Sequence, residues 1–389
     1  MGWINTYINY TKPQQSPTFF HTWTAFAVIA AALRRRVWIN FDYYSIFPNL
    51  YTILVSDSGV GNKSTAIKIG GENILAKANI PDFAIMRGTL TIPYLIEWMV
   101  RTQNSNPDKF AEVTILCDEF KVFARGAYAD SGLIEGLTKL YDCGPFEYRL
   151  KNSPISVVDK PCVNIIAAST PEWLAVGSAA DFIGGGFSSR IIPAAILKDE
   201  RIVPRPKMTQ AEKALEKMLI NDLSIIGALA GQFLITQKAE QYYDDWYTVR
   251  IKTQNPDLRM RGYYAKKHTL VWKLAMILSL NINDDLVITE DHIEAALKLL
   301  GKLELTIPFA FQGVAWGEQA KMQEKVMIEI HKRKEVVYSE LLQSVHHLMG
   351  TTELQQILQT LKDEEKIDSK KVSTGGKQKT IIFLKEDKP

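Results

Sequence analysis

The sequence predicts an α/β fold in which a parallel sheet is followed by a helical region and a small C-terminal domain. Three observations predict it. Apolar β-rich runs, Tyr51–Val55, Val113–Cys117, Val163–Ala167 and Ile191–Ile196, alternate with helical patterns. Strands of this kind, separated by helices, form parallel sheets covered on both faces. Apolar spacing of helical period runs from about 208 to 305, after Pro204 and Pro206 break the chain. From about 320 to the end, three helical patterns precede two strand-like runs around Ser373-Thr-Gly-Gly376.

These features divide the chain into an N-terminal helical segment (1–49), a sheet-forming core (50–203), a helical region (204–312) and a terminal domain (320–389). The first segment is rich in aromatic residues, Phe19, Phe20, Trp23 and Phe26 among them, which suit a core or a subunit contact. Its apolar run, Trp23–Leu33, falls short of the ~20 residues that span a bilayer. It ends in Arg34-Arg35-Arg36 rather than at a small-residue cleavage site, so it reads as a buried helix.

The 389 residues are 46% hydrophobic and 23% charged, which excludes a disordered, collagen-like or disulfide-scaffold protein. A net charge of +3 restricts any nucleic-acid surface to a local patch. The three cysteines, Cys117, Cys143 and Cys162, form no C-x-x-C pair, so a structural zinc site is not expected. The expectation is a cytoplasmic protein with no membrane partner.

The strand Tyr51–Val55 leads through Ser56-Asp-Ser-Gly-Val-Gly-Asn-Lys-Ser-Thr65 into a helical stretch, Ala66–Ala78. This is the strand, glycine loop and helix of a phosphate-binding loop. Glycines turn backbone N–H groups toward phosphates, a lysine reaches the outer phosphate oxygens, and a hydroxyl binds Mg²⁺. Lys63 and Ser64 stand where that pattern needs its last two residues, and Ser58, Gly59, Val60, Gly61, Asn62 and Thr65 complete the candidate ATP-binding loop. Asp57 and Asn62 replace two glycines of the pattern. Asparagine is among the few non-glycine residues that visit left-handed backbone.

Val113–Cys117 ends in Asp118-Glu119, the Walker B pattern. Asp118 suits the Mg²⁺ shell together with Ser64, and Glu119 suits the orientation of an attacking water. Val163–Ala167 ends in Ala168-Ser169-Thr170, where Ser169 or Thr170 serves as a phosphate sensor or as a cap before Pro171. Arg190, before Ile191–Ile196, has the place of an arginine finger reaching a neighbouring subunit's phosphates. A salt bridge at a strand start is the alternative. Arg261, or Arg259 beside it, is a candidate second sensor near the buried helix 265–278.

Lys63-Ser64, Asp118-Glu119, Ser169/Thr170 and Arg190, followed by a helical lid and a winged helix, resemble AAA+ helicases of the minichromosome-maintenance and superfamily 3 type. The closer resemblance, over about residues 1–305, is to phage and plasmid primase–helicase ATPases. It rests on Ser16-Pro17 through Phe20-His21, Arg34-Arg35-Arg36, Pro48-Asn49-Leu50 and the loop Gly61-Asn62-Lys63-Ser64-Thr65. That family tolerates a residue between glycine and lysine. The resemblance implies a ring, a hexamer, that uses ATP and Mg²⁺ to move along or unwind single- or double-stranded DNA during replication of a mobile element. A primase or polymerase partner is implied too. The alternatives are a helicase loader or an ATP-controlled initiator that binds DNA without unwinding it.

Two regions are candidates for DNA. Tyr148 to Val158 reads as a hairpin turning at Asn152-Ser153-Pro154, with Lys151 at the turn and Arg149 two residues before it. In the related helicases such a hairpin grips DNA in the channel. The terminal domain reads as a winged helix, a helix-turn-helix variant whose third helix, Glu353–Glu364, enters a groove. Thr351 or Thr352 is positioned to cap that helix, and Lys370, Lys371, Lys377 and Lys379 stud its hairpin. A protein-binding winged helix has the same pattern.

Overall fold

The computed structural model describes residues 2–88, 90–120, 132–149, 155–175, 186–199, 201–252, 260–312, 318–346, 348–364, 366–374 and 377–385. By its contacts the chain divides into two compact units, Met1–Ala310 and Phe311–Pro389. The expected N-terminal segment, the core and all but the last two residues of the helical region (204–312) fall in the first.

That unit is an α/β protein. Its elements begin with α1 (Trp3–Thr11), α2 (Thr18–Leu33), β1 (Tyr51–Val55), α3 (Lys63–Lys68), β2 (Ile85–Arg87), α4 (Ile92–Ser105) and β3 (Phe110–Cys117). There follow α5 (Gly132–Leu140), β4 (Lys160–Ser169), α6 (Pro171–Ala175), β5 (Ile191–Ala195), α7 (Gln210–Ala228), α8 (Gln237–Lys252), α9 (Arg261–Ser279) and α10 (Glu290–Glu304). The five strands form one all-parallel sheet in the order β2-β3-β4-β1-β5, flanked by helices. Every residue of β1 and β5 is buried, as strands covered on both faces require. The edge strand β2 escapes a sequence reading because only three residues pair.

The apolar run Trp23–Leu33 is the greater part of α2, and each of its residues is buried. Apolar on every side, it is a core helix. Among the described residues, no helix is long and apolar enough to cross a membrane.

Arg34, Arg35 and Arg36 fan out from the end of α2 around Glu112, a buried carboxylate of β3. The Arg34 and Arg36 side chains reach Glu112 Oε2 at 3.4 and 3.0 Å, and the Arg35 amide donates to Oε1 at 3.1 Å. The remaining Arg34 donors bond to Pro81 O, Gly227 O and Ala32 O. One carboxylate therefore ties the central helix to the sheet. Lys273 of α9 does similar work before β1. Its ammonium donates to Phe47 O, Asn49 O and Asn49 Oδ1, while Asn49 Nδ2 donates to Tyr141 O and Val163 O. Burial pushes the Lys273 ammonium down to about 8.

Two local expectations need correction. The helix after the loop is not a regular α-helix: α3 passes at Ile69 into a π-helical turn, Ile69–Ile74, and then a short 3-10 turn. Gly70-Gly71, poor helix formers, fall at that change. The region 208–305 is not helical throughout. Gly231 and Gln232 pair with Val37 and Trp38, and Leu234 and Ile235 with Val287 and Ile288. A connection running over a packed surface must find partners for its backbone, and here it finds strands.

The second unit contains α11 (Glu318–Arg333), β6 (Glu335–Val337), α12 (Tyr338–Val345), α13 (Thr351–Asp363), β7 (Ile367–Thr374) and β8 (Lys377–Leu384). Its antiparallel sheet has the order β6-β8-β7. Val326, Ile330, Leu341, Leu354, Leu361 and Ile382 belong to a core of its own. Neither Thr351 nor Thr352 caps α13. Gly350 is the cap, and its amide donates to the Glu353 carboxylate at 3.1 Å, which leaves the hydroxyls no capping task.

Removing the carboxylate that the arginine fan surrounds leaves buried cations unpaired. Glu112→Ala should lower the free energy of unfolding by about 3–5 kcal/mol. A urea titration of the purified variant checks this.

Candidate functional site

The parallel register sets the site. Val55 at the end of β1 is level with Ser169 at the end of β4, and Cys117 at the end of β3 is level with Ala167. Three loops therefore leave the same edge of the sheet side by side. In open α/β sheets this carboxyl edge is where ligands bind. A cleft of about 460 Å³ opens there, lined by Ser58, Gly59, Val60, Asn62, Lys63, Ser64, Thr65, Asp118, Glu119, Ala168, Ser169, Thr170 and Trp173. Residues from three separate stretches of the chain converge in it.

Backbone geometry accounts for asparagine at position 62 of the loop. Asn62 is left-handed, at φ 44° and ψ 48°, a conformation that its short polar side chain tolerates. Gly59 and Gly61 also have positive φ, 78° and 75°. At Gly61 an added Cβ would stand 2.6 Å from Ile196 Cδ1 and 2.7 Å from Phe20 Cε2, whereas at Gly59 it would meet nothing. The Lys63 ammonium folds back on the loop, donating to Ser56 Oγ at 2.7 Å, Ser56 O at 2.8 Å and Asp57 O at 3.0 Å. Burial pushes its pKa below the usual lysine value, and the Asp57 and Glu172 carboxylates oppose that shift. Asp118 and Glu119 are exposed toward solvent. Ser169 is buried, and its hydroxyl donates to Thr170 O at 3.2 Å.

Ser64, Thr65 and Asp118 also line an adjoining hollow of about 440 Å³, together with Lys68, Glu72 and Arg87. Arg87 and Glu72 form an ion pair there at 3.6 Å. Comparison with known protein families and with curated proteins finds no match to this chain.

Other candidate residues lie elsewhere. Arg190 immediately precedes β5, at the opposite end of the sheet from the cleft. Its side chain is 16% exposed, pairs with Asp142 at 3.1 Å, and donates to Gly186 O at 2.9 Å. This is the salt bridge at a strand start that the sequence left open. Lys266 approaches the other oxygen of Asp142, at 3.5 Å. Arg261 opens α9 and is exposed, and Gly262 beside it packs against Ser188 and Ser189. Arg190 and Arg261 thus share one region of the surface, outside this chain's own cleft. Arg259 lies outside the described residues.

A hairpin does lie between β3 and β4, but its first arm is Phe146–Tyr148, which ends where the sequence reading began it. It pairs in antiparallel fashion with Ser156–Val158, Tyr148 standing opposite Ser156. Arg149 is exposed, while Lys151 and the turn lie outside the described residues. In the second unit, register separates two of the lysines. Lys370 pairs across from Ile381 and Lys371 from Thr380, so they point to opposite faces of the sheet. Lys370 bonds Glu335 at 2.8 Å and lies over the Phe383 ring. Lys379, opposite Val372, shares the Lys370 face, while the Lys377 side chain lies outside the described residues.

Sequence reasoning missed Trp173, which lines the cleft, and Glu172, which acts electrostatically on Lys63. It also missed Asp199, whose carboxylate accepts the Gly61 amide at 2.8 Å. Trp173 follows the candidate sensor by four residues, a proximity that offered a signal; Asp199 offered none.

The two loop glycines should respond differently to a methyl group. Gly59→Ala meets only the left-handed backbone, a cost of about 1–2 kcal/mol. Gly61→Ala adds overpacking against Ile196 and Phe20, a further cost of about 1–3 kcal/mol. Denaturant titrations of both variants check the order.

Proposed function

We propose that this protein is an ATP hydrolase of the phosphate-loop type, with a AAA+ core, a helical lid and a C-terminal winged helix. The observation that carries this reading is the convergence of Lys63, Ser64, Asp118, Glu119 and Ser169 on a single cleft at the carboxyl edge of the sheet. A cleft of that volume is within the range of small-molecule sites. Its residues also fit magnesium–ATP chemically. The loop has the left-handed backbone that close approach to phosphates requires, a lysine ammonium stands among its carbonyls, and a hydroxyl and two carboxylates face it.

In this reading, residues 58–60 and 62–65, Lys63 among them, hold the phosphates with Gly61 shaping the turn between them, and Ser64 with Asp118 hold Mg²⁺. The bound magnesium–ATP supplies an electrophilic phosphoryl group whose charge the cation offsets. Glu119 accepts a hydrogen bond from the attacking water and orients it. Ser169, on the strand between β1 and β3, senses the outer phosphate. Arg190 acts on the site of the neighbouring subunit, a role supported by its place at the far end of the sheet. Assembly releases it from Asp142. Arg261, in the same surface region, serves as the second sensor from that side.

The fuller reading is a homo-oligomeric ring, a hexamer, working as a DNA helicase or translocase in replication of a phage or other mobile element, with a primase or polymerase as partner. Arg149 and Lys151 then contact single-stranded DNA, and Lys370, Lys371, Lys377 and Lys379 contact duplex. A second reading is a loader or an ATP-controlled initiator that binds duplex without unwinding it. It is favoured by α13, which exposes Thr352, Gln355, Gln356 and Gln359, side chains able to hydrogen-bond base edges. A strand-displacement assay separates the two: unwinding supports the helicase, and ATP-dependent duplex binding without unwinding supports the initiator or loader.

Lys63→Ala should reduce ATP hydrolysis to background. Glu119→Gln should keep nucleotide binding and slow turnover by roughly a hundredfold or more, since it removes only the orienting carboxylate. Near-normal turnover in Lys63→Ala would remove the phosphate-loop assignment.

Rings of Arg190→Ala subunits should bind ATP and hydrolyse it poorly. Mixing them with Glu119→Gln subunits should restore part of the activity, because some interfaces then pair an intact Glu119 with an intact Arg190. No recovery in confirmed mixed rings would count against a finger acting between subunits.

A further inference from the structure

The rear of the phosphate loop is bonded to two distant segments of the chain. Gly61 alone among residues 58–65 does not line the cleft. Its amide points the other way and donates to the Asp199 carboxylate at 2.8 Å. The next carbonyl, Asn62 O, accepts from Ser16 Oγ at 3.0 Å. The two anchors are themselves joined, since Arg201 donates to Lys12 O at 2.8 Å and to Ser16 O at 2.7 Å. Ile196 and Phe20 fill the space where Gly61 would carry a side chain. The segment after β5 and the turn between α1 and α2 thus close together on the back of the loop.

We propose that Asp199, Ser16 and Arg201 form a rear clasp that holds the phosphate loop in its nucleotide-ready shape, in place of the glycines this loop lacks. Asn62 occupies a left-handed conformation, less free for asparagine than for glycine, and the hydrogen bond from Ser16 to its own carbonyl helps to hold it there. The bond from Gly61 to a carboxylate is of the stronger, charge-assisted kind. The clasp touches neither phosphate nor metal, so these are positioning residues. A loop fixed beforehand loses less freedom when nucleotide binds, and the gain appears as affinity.

The inference rests on the phosphate-loop reading, and its test separates the two. The first measurement is hydrogen–deuterium exchange of peptides covering residues 57–65 in nucleotide-free protein. Asp199→Ala should speed exchange there, and Ser16→Ala should do so to a smaller degree. The second is titration with ATP and Mg²⁺, with steady-state hydrolysis. Asp199→Ala should raise Kd and KM roughly tenfold, the loss of one charge-assisted bond, while kcat changes by less than about twofold. Asp199→Asn keeps an oxygen acceptor and should recover most of the lost affinity.

Unchanged exchange and affinity in Asp199→Ala would overturn the clasp. So would tighter binding in both the Ala and the Asn variants, which would mean that the carboxylate acts by repelling phosphate. If the parent protein binds no nucleotide, the ATP hydrolase reading falls, and the exchange measurement still decides whether the clasp orders the loop.

Discussion

The parallel register of β1, β4 and β3 is the constraint on which the site depends. Because β4 stands between the other two, the loop after β1 and the carboxylates after β3 face each other across Ser169. A one-residue slip would turn Asp118 and Glu119 to the wrong face and disperse the cleft. Burial of β1 and β5 over their whole length, and of most of β3 and β4, holds that register.

Polar groups inside the core make the register specific. Glu112, ringed by Arg34, Arg35 and Arg36, fixes β3 to the end of α2, and Asn164 Oδ1 accepts the Leu50 amide just before β1. Lys273 and Asn49 lock the entry to β1. The triplet of arginines resembles a basic patch in sequence, and it is a structural anchor in the fold. Once Arg34 is 4% exposed and bonded to buried oxygens, it has little left for an external partner.

The loop itself shows how a sequence can depart from a pattern and keep its shape. Left-handed backbone is required at residue 62 whether or not glycine stands there, and asparagine supplies it with tertiary support. The same economy is visible at Gly61, where the absent side chain makes room for Ile196 and Phe20.

The sequence by itself determined the α/β class, the four principal strands, the buried helix over 23–33 and the three-helix-and-hairpin pattern of the terminal unit. Apolar periodicity and turn residues are local signals, and local signals survive in one dimension. It also marked Lys63 and Ser64 by the glycine loop before them, and Asp118, Glu119 and Ser169 by their places at the ends of apolar strands. Only the tertiary structure decided what pairs with what: the three-residue strand β2, the strands interrupting the helical region, the Asp142 carboxylate shared by Arg190 and Lys266, and the reach of Asp199 to Gly61. These depend on contacts between residues far apart in the chain, set by how the packed elements meet, and no spacing along the sequence encodes them.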